Sequence, residues 1–85
     1  MLNVEIVTPQ RIVYNGIASA VSVPGAKSPF QILNNHVPIV SSLVQGNVTV
    51  KEVNGTETIF EISSGILEMH NNTVSVIVES AIVRN

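Results

Sequence analysis

Branched apolar residues recur at every second position along most of this chain, and that spacing leaves little room for anything but strands. Leu2, Val4 and Ile6 alternate with Asn3 and Glu5, and Val48 and Val50 with Thr49 and Lys51. Phe60 and Ile62 alternate with Ile59 and Glu61, and Val74, Val76 and Val78 with Thr73, Ser75 and Ile77. The run from Ile17 to Val23 reads the same way, with Ile17, Ser19, Val21 and Val23 on one face and Ala18, Ala20 and Ser22 on the other. Successive side chains of a strand point to opposite faces, so this period buries one face and wets the other. Branching at Cβ stiffens Val and Ile and favours the extended backbone. No stripe of helical period appears.

Turn residues break the runs at short intervals. Asn15-Gly16 and Asn54-Gly55 are predicted as two-residue hairpin turns, because both residue types tolerate positive φ. Asn71-Asn72 is expected to do the same less cleanly. Pro24-Gly25, Gln45-Gly46 and Ser63-Ser64-Gly65 mark further bends. Pro9, Pro29 and Pro38 belong at strand starts, edges or loops, since proline cannot donate to a central ladder. The expectation is an all-β fold: a flattened antiparallel β-sandwich of roughly eight to ten short strands in meander order. A chain of 85 residues needs most of its length for one core, so residues 1–85 are expected to form one domain.

Composition narrows the function. Hydrophobic residues make up 45% of the chain and charged ones only 12%, an apolar balance common where a partner covers part of the surface. A net charge of −2 with no Lys/Arg cluster argues against nucleic-acid binding, which needs a concentrated basic face. The absence of cysteine favours a reducing, cytoplasmic setting. The opening MLNVEIVTPQ has no basic segment followed by a long apolar run, so no export signal is expected. No stretch approaches the roughly 20 apolar residues that span a bilayer.

The residues offer little chemistry. Cys, Asp and Trp are absent and there are two histidines, His36 and His70. A nucleophilic triad needs a base beside a Ser or Cys and an orienting carboxylate, and no flanking motif supplies one. Neither histidine has a second ligand at chelating spacing, and Glu52, Glu57, Glu61, Glu68 and Glu79 are isolated along the chain. The glycines form no phosphate-cradling cluster. No catalytic residue, metal ligand or cofactor is therefore expected. Three Asn-x-Thr tripeptides, at Asn47, Asn54 and Asn71, read as turn chemistry rather than as glycosylation sites.

One stretch departs from the alternation. From Val23 to Leu43 the chain reads VPGAKSPFQILNNHVPIVSSL, with Pro24, Pro29 and Pro38 stiffening it. Phe30, Ile32, Leu33, Val37, Ile39 and Val40 supply apolar surface around a polar corner, Asn34-Asn35-His36. This stretch reads equally as a loop folded over the end of the sandwich, with Phe30 as a plug, or as a docking surface carried on rigid strands. Two other functions stay open at this level. One is a small adhesion or carbohydrate-binding sandwich, though only Tyr14, Phe30 and Phe60 are available for stacking. The other is a small cupin-like enzyme or hydrolase using His36 and His70.

The same stretch also carries a family resemblance. Pro24-Gly25, the apolar pair Ile32-Leu33, His36-x-Pro38, Leu43 and Gly46 together resemble the epsilon subunit of F-type ATP synthases. Val7-Thr8-Pro9 with Tyr14-Asn15-Gly16 is similar to that family's opening hairpin. Ser64-Gly65-Ile66-Leu67-Glu68, followed by Asn72-Thr73-Val74, is similar to its Gly-Gly-x-Leu-Glu strand and the strand after it. The resemblance implies a non-catalytic rotor subunit of the central stalk, at the cytoplasmic face of the bacterial inner membrane. Its implied partners are the gamma subunit and the c-ring. Carried over residue by residue, it places gamma against His36, Val37, Pro38, Ile39, Ser41 and Ser42. It places the c-ring against Gly25, Ala26, Lys27, Ser28, Pro29, Phe30 and Gln31. No nucleotide binding by the chain itself is implied.

Two departures from the family stand out. Members usually carry a Gly-Glu-Phe-Gly-like segment where this chain has Ser28-Pro29-Phe30-Gln31. Pro29 thus occupies the acidic position, with Lys27 nearby, so the family's charge pattern does not carry over. Members also usually continue into a helical hairpin that restrains ATP hydrolysis. The sequence stops at Asn85, where that hairpin would begin, so hairpin-based inhibition is not expected of this chain.

Overall fold

The computed structural model describes residues 1–84; Asn85, the last residue of the expected domain, lies outside the described residues. Ten strands follow one another along the described chain, and no helix separates them. They are β1 (Leu2–Val7), β2 (Ile12–Ala18), β3 (Ala20–Val23), β4 (Phe30–Leu33) and β5 (Ile39–Leu43). The second half adds β6 (Gly46–Lys51), β7 (Glu57–Ile62), β8 (Gly65–His70), β9 (Thr73–Val78) and β10 (Ala81–Val83). They form two five-stranded sheets. The first runs β2-β1-β9-β8-β5 and the second β10-β7-β6-β3-β4.

The all-β sandwich is as the alternation dictates. Leu2, Val4, Ile6, Leu67, Met69, Val74 and Val76 from the first sheet meet Val21, Ile32, Val48, Val50, Phe60 and Ile62 from the second in one dry core. No polar or charged residue is buried there, so the core carries no desolvation debt.

The connectivity is not a meander. β1 lies parallel to β9, with Val4 opposite Val74 and Ile6 opposite Val76, and all other pairings are antiparallel. The chain passes repeatedly from one sheet to the other, which is how short connections enclose a core without long loops. Two of these crossings, at 63–64 and 79–80, are tied together. The Ser63 amide donates to the Ser80 carbonyl at 3.1 Å, and the Ser80 amide donates to Ser63 Oγ at 3.0 Å.

Three local expectations need correction. Asn15-Gly16 is not a turn: both residues sit inside β2, opposite Glu5 and Val4. The hairpin turns earlier, at Thr8–Arg11, where the Thr8 amide donates to the Arg11 carbonyl at 2.9 Å. Gly16 leaves room for the Tyr14 side chain, since a Cβ there would meet the Tyr14 hydroxyl at 2.8 Å and the ring would have to shift. Next, the run Ile17–Val23 is two strands in different sheets, broken at Ser19, whose amide donates to the Lys51 carbonyl. The break shifts the phase, so Ala18 is buried and Ile17 exposed, the reverse of the expected faces. Finally, Asn71-Asn72 is the true two-residue hairpin turn, with both residues at positive φ (51° and 59°) as a type I′ turn requires. Asn54-Gly55 lies in a longer connection between the paired residues Lys51 and Glu57, with only Gly55 at positive φ.

Candidate docking surface

The irregular stretch from Val23 to Leu43 resolves into two edge strands. Phe30–Leu33 closes one side of the second sheet, and Ile39–Leu43 closes one side of the first. Phe30 and Ile39 are partly buried against the core, and Ile32 is fully buried. The two segments expected to face separate partners are held together at one end of the sandwich. Gly25 bridges Leu43, the Ala26 amide donates to the Ser42 carbonyl at 2.9 Å, and the Val44 amide donates to the Pro24 carbonyl at 2.9 Å. Between loop 25–28 and β5 lies a cleft of about 450 Å³, lined by Lys27, Ser28, Phe30, Ile39 and Ser42 among others. Gly25 is required by close approach, since a Cβ there would press on the Ser28 carbonyl oxygen and the Phe30 ring. Pro29 and Gln31 turn away from it and border a second, shallower depression with Ser22 and Asn47.

His36 sits at the head of β5. Its amide donates to the Leu33 carbonyl at 3.2 Å, and its Nδ1 lies 2.7 Å from the Val37 carbonyl oxygen. Alternation along β5 then divides the expected gamma-facing residues. Ile39 and Ser41 turn inward, whereas Ser42 points outward with Val40, which is 73% exposed. Val40 was not among the residues carried over from the family, yet it is the apolar side chain this strand presents.

The strand register extends that surface across the outer face of the first sheet. Ile12 pairs with Val7, Val7 with Ile77, Ile77 with Ile66 and Ile66 with Ser42. This is one row running perpendicular to all five strands. Ile12, Ile66 and Ile77 are exposed along it. The next row runs Asn15, Glu5, Ser75, Glu68 and Val40. The corresponding rows of the second sheet run Gln31, Ser22, Thr49 and Ile59, then Leu33, Ala20, Lys51 and Glu57, then Asn47, Glu61 and Ile82, with Leu33 and Ile82 exposed at opposite edges. Apolar side chains are thus exposed on both outer faces, but in the first sheet Ile12, Ile77 and Ile66 line up in one cross-strand row, and that row is continuous with β5. The sequence did contain a signal for it: Ile66 and Ile77 are apolar residues at the solvent phase of otherwise alternating strands.

Asn72, read from the sequence only as a turn residue, also holds this corner together. The Asn72 side-chain amide donates to Asn34 Oδ1 at 2.7 Å and to the Met1 carbonyl at 3.1 Å, while its Oδ1 accepts the Asn35 amide at 2.7 Å. Asn72 thus ties the N-terminus, the Asn34-Asn35 turn and the β8–β9 hairpin to one another, and Asn35 itself sits at φ 65°. Asn72→Gly, which keeps the positive φ but removes these bonds, is expected to cost about 1–2 kcal/mol. Asn72→Ala adds the left-handed backbone penalty, about 1 kcal/mol more. Chemical denaturation checks the totals. Hydrogen exchange at Asn35 and His36 should accelerate in both variants.

Among the described residues, no group of three or more His, Cys or Glu side chains stands close enough to hold a metal ion. The Tyr14 phenol is raised above its usual value, first by burial and then by the Glu52 charge. It packs edge-on against Phe60 in the core, and nothing nucleophilic or basic is paired with it.

Two five-stranded sheets over one dry core, with an end loop tied to β5 and an apolar row across one outer face, define an all-β sandwich domain. The family model described as "ATP synthase, Delta/Epsilon chain, beta-sandwich domain" matches residues 1–84, and the chain belongs to that family. It is 42% identical over 80 residues to the ATP synthase epsilon chain of Maridesulfovibrio salexigens, covering 94% of this chain and 56% of that one. The epsilon chain of Caulobacter vibrioides is 32% identical, and there the match covers 95% of this chain and 93% of the relative. The chain thus spans little more than half of some relatives and nearly all of another. The same fold occurs in a chain of the Euglena gracilis mitochondrial ATP synthase, with TM-score 0.91, 15% identity, and coverage of 96% of this chain and 52% of that one. It also occurs in the central stalk and c-ring structure from Tetrahymena thermophila, with TM-score 0.80, 20% identity, and coverage of 95% and 65%.

Proposed function

We propose that this chain is a non-catalytic rotor component of a bacterial F-type ATP synthase, joining the gamma subunit to the c-ring at the cytoplasmic face of the membrane. The observation that carries the proposal is the apolar row Ile12, Val7, Ile77 and Ile66, which reaches β5 and leaves Val40 exposed on a face otherwise free of core function. Exposed apolar rows of this kind, bordered by polar residues, mark interaction surfaces. Gamma is assigned to this face, together with His36, Val37, Pro38 and Ser42 at its margin. The ring is assigned to loop 25–31. A joint that transmits torque must not yield, and a close-packed interior between two sheets has low compressibility.

The test is a titration of gamma subunit from the same source with Val40→Asp and Ile77→Asp variants. Both side chains are solvent-facing, so folding should be retained. Burying an unpaired carboxylate at the contact should weaken binding by at least about tenfold. His36→Ala should have a smaller effect. A well-folded chain that fails to bind gamma, or variants that bind as tightly as the parent, would remove this assignment. Ile39→Asp is a poor probe because Ile39 packs on the core.

A further inference from the structure

The cleft between loop 25–28 and β5 is lined by a cation and no carboxylate, whereas the depressions beside Glu79, Glu61 and His70 each include a glutamate. Acidic residues outnumber basic ones in this chain, yet Lys27 is the only charged residue lining this cleft. Lys27 is exposed and has no ion-pair partner among the described residues, in contrast to Arg84, which pairs with Glu61 at 3.0 Å. The walls are polar but uncharged, with Ser28 and Ser42, and the floor is apolar, with Phe30 and Ile39. The loop that carries Lys27 is fixed by the Gly25–Leu43 bridge and the Ala26–Ser42 hydrogen bond, so the ammonium is attached to a rigid base.

We propose that this cleft receives an acidic side chain from a loop of the partner protein, its carboxylate against Lys27 and its methylene stem over Phe30 and Ile39. The proposal rests on the assignment of loop 25–31 to the c-ring and adds the chemistry of the contact. A cation at the rim of an interface acts chiefly through partner choice and encounter rate, and its effect is screened by salt. A ring surface that presents a basic residue at this point would be repelled. The cleft therefore works as a specificity determinant, and it accepts rings with an acidic polar loop.

The experiment uses c-rings from the same source in nanodiscs of neutral lipid, the chain bound to gamma, and Lys27→Gln and Lys27→Glu variants. Lys27 is exposed, so neither variant should perturb folding. Expected at low salt is a graded loss of ring affinity, several-fold for Lys27→Gln and at least about tenfold for Lys27→Glu. The differences should shrink as ionic strength rises toward about 1 M, where the Debye length falls to about 3 Å. Exchange of the ring loop's acidic residue for lysine should restore binding to Lys27→Glu. Parent and variants that bind the ring with equal affinity would overturn the proposal while leaving ring seating intact. Absence of parent binding would remove the ring assignment itself. Lys27-dependent binding to ring-free vesicles of anionic lipid, matching that to the ring, would also overturn the proposal and assign the cleft to headgroups.

Discussion

Gly65→Ala is expected to destabilise this domain severely and, with it, every surface that the sheets hold in place. Gly65 opens β8, opposite Val78 on β9 and Leu43 on β5. A Cβ built there would sit on the Ile77 carbonyl oxygen, with Val78 Cγ1 at 2.6 Å and Val78 Cα at 3.0 Å. Two of these three atoms are backbone, so no rotamer change relieves the clash. β9 would have to move, and β9 is a central strand paired to both β8 and β1. Overpacking that a side chain can absorb costs about 1–3 kcal/mol, and a clash with a central backbone should reach or exceed the upper end. Domains of this size are stable by only about 4–13 kcal/mol, and 3 kcal/mol corresponds to a fall in Tm of roughly 12–24 °C. Thermal unfolding followed by circular dichroism checks it. An Ala variant within a few degrees of the parent would mean that β8 and β9 are further apart than the geometry shows. Gly65 is not at positive φ, so the need is for space alone.

Gly65 also illustrates what the sequence could and could not convey. Its place in Ser63-Ser64-Gly65 marked a bend, and a bend is there. The close contact with Ile77 depends on a partner strand twelve residues away, which no local pattern specifies. Where burial alone decided the outcome, the alternation was enough: Leu2, Val4 and Ile6 face in, as do Val48 and Val50, and Val74, Val76 and Val78. It failed where a local signal competed with long-range pairing. Asn15-Gly16 has the residues of a hairpin turn, but the pairing of β2 with β1 extends through it and places the turn at Thr8–Arg11. The run at 17–23 kept its period on paper while the chain changed sheets at Ser19.

The same division applies to the docking surface. The stretch from Val23 to Leu43 stands out because its alternation breaks, and the family resemblance assigns two segments of it to two partners. That the segments abut follows from the bridge between Gly25 and Leu43, eighteen residues apart in sequence. Asn34 and Asn72 are 38 residues apart, and only the fold brings them to a hydrogen bond. Conversely, Ile66 and Ile77 were visible as apolar residues at polar phase, but their meaning depends on register. Opposite each other and in line with Ile12 and Val7, they form a row; two residues out of register, they would be scattered apolar side chains of no consequence.

Phe60→Ala should be the most damaging substitution that leaves the backbone unobstructed. Phe60 is the largest of the fully buried side chains and is 1% exposed. It projects from β7 in the second sheet, and its ring meets that of Tyr14 on β2 in the first, with centroids 5.4 Å apart and planes at 64°. An edge-to-face pair adds to the burial, so truncation removes transfer energy, a cross-sheet ring contact and packing around a cavity together. The expected cost is about 3–5 kcal/mol. Phe60→Leu, which retains most of the volume, should cost markedly less. Urea denaturation measures both. The loss should have a second signature, because Tyr14 is the only tyrosine and its absorbance reports its own ionisation. Burial holds the Tyr14 phenol above its usual value, so opening a cavity beside it should lower the titration midpoint toward that value. The raised folded-state value also fixes the sign of the pH dependence. Tyr14's contribution to stability is fully present below about pH 10 and declines as pH rises through the folded value. That alkaline decline should flatten in Phe60→Ala, while the parent and Phe60→Leu retain it. An alanine variant with parental stability and an unchanged Tyr14 midpoint would show that the two sheets are held together elsewhere, and that the stiffness required of a rotor joint does not reside in this pair.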